Sequence, residues 1–128
     1  MTYYFAKTLH CSFDEGVQRA TDALKNAGFG ILTEIDVSET LKKKLGAAFR
    51  NYRILGACNP AMAHQALEIE DKIGTMLPCN VIVQDLGGGN IEVAAIDPVA
   101  SMAAVPNEAL HQVADKVRDM LRKMIEVL

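Results

Sequence analysis

The spacing of hydrophobic positions changes along the chain, and each change marks an element. From Tyr3 to Leu9 they alternate, with Tyr3, Phe5 and Leu9 on one side and Tyr4, Ala6 and Thr8 on the other, which predicts a strand. The period then becomes helical: Phe13, Val17, Ala20, Leu24 and Ala27 form one stripe. Ser12 and Glu15 stand at capping-box spacing before it, and Gly28 supplies the stop. Ile31, Thr33, Ile35 and Val37 restore period two for a second strand. Ser38 is expected to cap a short helix reaching about Leu45, with Leu41 and Leu45 inward, Lys42, Lys43 and Lys44 outward, and Gly46 at its end.

Arg50 to Cys58 is apolar on both faces, the pattern of an interior strand. Asn59 as N-cap and Pro60 at the first helical position start the next helix, whose stripe is expected to run through Met62, Ala66, Ile69 and Ile73 to a stop at Gly74. Pro78 keeps the chain from re-entering a helix. Val81 to Leu86 and Ile91 to Ile96 are β-rich runs joined by Gly87-Gly88-Gly89-Asn90, a hairpin signal that makes this pair antiparallel. Asp97-Pro98 ends the hairpin, and Val99 to Val105 reads as an apolar loop that another element should cover. Pro106-Asn107 opens the last helix, where Leu110, Val113, Val117, Leu121, Met124 and Leu128 repeat at helical spacing beside Ala114, Met120 and Ile125. So wide a stripe predicts burial on two sides.

The order β-α-β-α-β-α-β-β-α predicts an α+β fold: a mixed, largely antiparallel sheet of about five strands with helices on one face. A doubly wound parallel sheet is the alternative. At 128 residues the chain is the size of one domain, 1–128, with no repeat, low-complexity segment or linker.

Composition changes this picture in three ways. Half of the residues are hydrophobic and 23% are charged, so the chain has apolar surface to spare, the kind that goes into a subunit interface. A net charge of −3, with Lys42-Lys43-Lys44 as the one basic run, gives no footprint for nucleic acid. No apolar run approaches the ~20 residues that span a bilayer, and residues 1–7 lack the pattern of a secretory signal, so the expected location is the cytoplasm. There, three cysteines are expected to stay reduced.

The unusual chemistry gathers around one helix. Ala57-Cys58-Asn59-Pro60 precedes it and Leu77-Pro78-Cys79-Asn80 follows it. Cys58 adjoins a helix start, where unpaired N–H groups and the helix dipole stabilise a thiolate, and Cys79 would be the second thiol. The alternative is that both are small buried hydrophobes. Asn59 and Asn80 also suit cap and turn roles, Pro60 and Pro78 backbone roles, and Asp97 a turn role. Cys58, Cys79 and His64 could supply three metal ligands, yet the paired C-x-x-C spacing of structural zinc is absent, and His64 reads better as a surface residue. The Gly87-Gly88-Gly89 run is no phosphate loop, because a strand follows it and no Lys-Ser/Thr does. Gly28-Phe29-Gly30 lies between a helix and a strand, the reverse of a dinucleotide fingerprint, and no hydrolase motif occurs.

Tyr52-Arg53-Ile54-Leu55-Gly56-Ala57-Cys58-Asn59-Pro60, Ala66-Leu67 with Glu70, Leu77-Pro78-Cys79-Asn80 and Ile96-Asp97-Pro98 together resemble the family called domain of unknown function 302. The resemblance covers nearly the whole chain. It implies a compact α+β domain of the fold called TT1751-like, carries no established activity or cofactor, and places the family's motif positions on Cys58, Asn59, Pro60, Pro78, Cys79 and Asp97. With no acid–base pair in view, the leading expectation is a non-enzymatic domain that binds a small ligand or a partner as a homodimer, with Cys58, Asn59, Pro60, Pro78, Cys79, Asn80 and Asp97 as candidate site residues. Thiol redox chemistry or metal binding at Cys58 and Cys79 is the competing expectation.

Overall fold

In the computed structural model, which describes residues 2–128, the strands are β1 (Tyr4–His10), β2 (Gly30–Asp36), β3 (Tyr52–Cys58), β4 (Cys79–Gly87) and β5 (Asn90–Ile96). The helices are α1 (Phe13–Asn26), α2 (Val37–Leu45), α3 (Pro60–Ile69), α4 (Pro98–Ser101) and α5 (Glu108–Glu126), and a 3-10 turn covers Asp71–Met76. The strands form one sheet in the order β1-β5-β4-β3-β2. Every neighbouring pair is antiparallel, which removes the doubly wound alternative and leaves no parallel pair in the expected mixed sheet.

The register shows how this sequence makes a two-layer molecule. Leu9, Ile91, Val93, Ala95, Val81, Val83, Leu55 and Ala57 share one face, and all are buried. Onto that face α1 lays Ala20, Ala23 and Leu24, and α5 lays Leu110, Val113, Ala114, Val117, Leu121, Met124 and Ile125. The α5 stripe is wide because α5 meets the sheet at β1 and β5 and also packs against α1, α3 and α4. Helix α1 comes very close: a Cβ on Gly16 would stand 2.6 Å from Ile91 Cγ2. The β4–β5 hairpin turns on Gly88 and Gly89, both at positive φ (64° and 80°), the backbone of a type I′ turn.

Five local expectations need correction. Leu45, expected inward, is 74% exposed at the end of α2, and no α2 residue is fully buried. Asp36, not Ser38, caps α2 by accepting from Glu39 N at 2.9 Å, while the Ser38 hydroxyl donates to Phe49 O. Helix α3 stops at Ile69 rather than at Gly74, because Glu70 is extended and the Asn107 amide donates to Ile69 O at 3.2 Å. The chain then turns through the 3-10 segment, which buries Ile73 and leaves Ile69 36% exposed. Val99 to Val105 is not wholly a loop: Asp97 caps α4 by accepting from Val99 N at 3.0 Å, and the turn is followed by buried Met102. In β2 an irregularity between Ile31 and Thr33 breaks the period, so Ile31 faces the helices while Thr33 and Ile35 face away. Among the described residues, no helix is long and apolar enough to cross a membrane.

Candidate functional site

Cys58 ends β3 and Cys79 begins β4, and the two strands pair with Ala57 opposite Cys79. The chain returns across the sheet to the neighbouring strand, so the two thiols flank the same strand ends. Both are free and both line one cavity between the sheet, α3 and the α4–α5 corner. Cys58 is half-buried and Cys79 is buried.

Asn59 fixes the geometry at this corner. Its Oδ1 accepts from Met62 N at 3.1 Å, capping α3, and its Nδ2 donates to Gly28 O at 3.1 Å, holding the turn after α1. Pro60 occupies the first position of α3, where its missing N–H leaves no helical bond unmade. With both ends of the Asn59 amide engaged, the cavity wall is mostly apolar. The cavity is lined by Phe29, by Ala57 of β3, by Met62, Ala63 and Ala66 of α3, by Leu77 and Pro78 beside Cys79, and by Pro98, Met102, Leu110, Val113, Ala114 and Val117 from α4, α5 and their junction. The volume is about 40 Å³. A single water needs about 10–15 Å³ on this scale and drug-sized ligands need hundreds, so the space admits only a few heavy atoms.

Burial pushes the Cys79 thiol up to about 11, and the neighbouring Cys58 adds to the shift. Cys79 is therefore a neutral S–H at neutral pH, a poor nucleophile and a weak hydrogen-bond donor. That environment suits a wall, and it opposes the part of a resolving thiolate.

The other candidates lie elsewhere. Asn80 is exposed on the far face of β4, opposite Gly56 in β3. Asp97 is 6% exposed; besides capping α4 it stands 3.4 Å from Arg118 Nε, so its carboxylate joins α4 to α5. His64 pairs with Glu68 at 3.1 Å on the exposed side of α3 and does not line the cavity with the cysteines. Among the described residues, no three His, Cys, Asp or Glu side chains converge as a metal site.

Thus Cys58, Asn59, Pro78 and Cys79 meet at the cavity, whereas Pro60, Asn80, Asp97 and His64 do not line it. The larger wall residues missing from the sequence-based set include Phe29, Met62, Met102, Leu110, Val113 and Val117. Most belong to helical stripes or β-rich runs, a signal of core packing that does not mark where the packing falls short. No curated protein matches the chain. The crystal structure of an uncharacterized conserved protein, DUF302, from Bacillus stearothermophilus is similar, with TM-score 0.90 at 25% identity over 98% of each chain. The family model described as "Domain of unknown function DUF302" matches residues 5–128, and the chain belongs to that family.

Proposed function

We propose that the protein is a binding domain that acts as a homodimer and takes a small apolar ligand at the Cys58/Cys79 cavity. The observation that carries this reading is the cavity itself: an apolar pocket at the junction of β3, α3, β4 and α5, with the free cysteines Cys58 and Cys79 among its lining residues. Apolar pockets of this kind exclude ordered water and accept small hydrophobic molecules, since few wall atoms can satisfy a water's hydrogen bonds. Neutral Cys79 favours such a ligand over a metal cation, which would require the thiol to lose its proton.

Isobutanol, a probe of five heavy atoms, tests the reading by NMR titration. Saturable shifts confined to Ala57, Cys58, Met62, Cys79, Met102 and Val117 are expected, and Ala63→Leu, which fills the pocket, abolishes them. Shifts that rise linearly and scatter over the exposed apolar side chains would contradict it. The thiol redox reading retains one favourable observation, the placement of Cys58 and Cys79 on paired strands around one cavity. It predicts a Cys58–Cys79 disulfide after mild oxidation, and its absence in peptide mapping of the oxidised protein counts against it.

A further inference from the structure

The face of the sheet turned away from α1 and α5 has the composition of an interface. In an antiparallel sheet with one solvated face, that face normally alternates to polar and charged side chains. Here the register draws one apolar row across all five strands, Ala6, Ala94, Ile82, Ile54 and Ile35. Its outer members are exposed, Ile35 at 48%, while the helix-facing neighbours Val81 and Val83 are 0% exposed. Among the described residues, the one carboxylate that the strands place on this face is Glu92, and no strand lysine or arginine joins it. Glu92 is already engaged: it accepts from Gln84 Nε2 at 2.8 Å, and Gln84 Oε1 accepts from Arg50 Nε at 2.9 Å.

We infer that this face docks against the same face of a second copy. This rests on the dimer reading above and names the surface it uses. Charge on this face is limited to Glu92 and Arg50, one of each sign and joined through Gln84, and so sparse and balanced a charge fits a copy of itself better than a strongly acidic or basic partner, because charge is depleted at interface centres. The row is also graded in size, with alanines on β1 and β5 and isoleucines on β3 and β2. A two-fold axis parallel to β4, the central strand, lays Ala6 and Ala94 over the partner's Ile35 and Ile54 and sets Ile82 against the partner's Ile82. Small then meets large on both sides. Five strands about 4.8 Å apart and about 24 Å long cover roughly 600 Å² per copy, so the pair buries about 1,200 Å², the lower bound of stable specific interfaces.

Light scattering at micromolar concentration on the full chain, with Ile82→Arg and Ile35→Arg, tests this. The wild type should be a dimer, and each variant should weaken association at least tenfold while still giving the isobutanol shifts, because the cavity is on the helix side. Should Ile82→Arg fail to fold, Ile35→Arg decides, since that side chain is half exposed on an edge strand. A wild-type monomer overturns both the dimer and the face. A wild-type dimer that persists in the folded arginine variants overturns the face alone.

Discussion

Asn59 shows how much one side chain can hold. It closes α3 at its start and fastens the turn after α1, two bonds made by the two ends of one amide. Asn59→Ala removes both and should cost about 1–2 kcal/mol, the range of a lost N-cap, read as a drop of several degrees in melting temperature. Asn59→Asp keeps the acceptor for Met62 N and loses the donor to Gly28 O, so it should fall between; equality with wild type would remove the Gly28 bond from the account. Cys79 makes a pH-dependent prediction. Its thiol ionises near 11 in the folded protein and near the ordinary ~8.5 in the unfolded chain. The folded state thus holds the proton more tightly, so the stability contribution is complete below about pH 8.5 and is lost as pH rises to about 11, by about 3 kcal/mol. Urea unfolding of wild type and Cys79→Ala across that range should show the wild type losing more; parallel curves would contradict the burial of this thiol.

Elements were legible where local chemistry acts alone. Ser12 caps α1, Asn59-Pro60 starts α3, Asn107 caps α5 and the glycine hairpin joins β4 to β5, all as their residue types require. Asp97-Pro98 uses the same grammar as Asn59-Pro60, but α4 is a single turn and so has no periodic stripe in the sequence. Elsewhere distant partners decide. Asn107 bonds Ile69 O from 38 residues away and ends α3 early, and the irregularity in β2 answers to its pairing with β3 rather than to its own alternation. Close packing of α1 on the sheet is equally invisible in a spacing pattern. Gly16→Ala gains up to about 1 kcal/mol of helix propensity but drives a methyl into Ile91, an overpacking that costs about 1–3 kcal/mol. The expected net result is a lower urea midpoint; an unchanged or higher one would mean that α1 can slide away from β5.

At the scale of the whole molecule, the single sheet serves two environments. Its helix side carries the core and, where β3 and β4 meet α3 and α5, a cavity that no side chain fills; its far side carries an apolar row without a cover of α1 or α5. The apolar surplus in the composition suggests an interface but carries no address for one, because which residues share a face depends on register. The candidate site was legible to the same degree: the motif cysteines indicated the corner, while the opposing wall from α4 and α5 appears only when the chain folds back. Alkylation of the native protein by iodoacetamide at neutral pH, followed residue by residue with and without saturating isobutanol, tests the proposed ligand binding at the cavity most directly. The account predicts that Cys58 labels, that Cys79 stays protected until unfolding, and that isobutanol slows Cys58. Rapid labelling of Cys79, or a Cys58 rate indifferent to isobutanol, would contradict it.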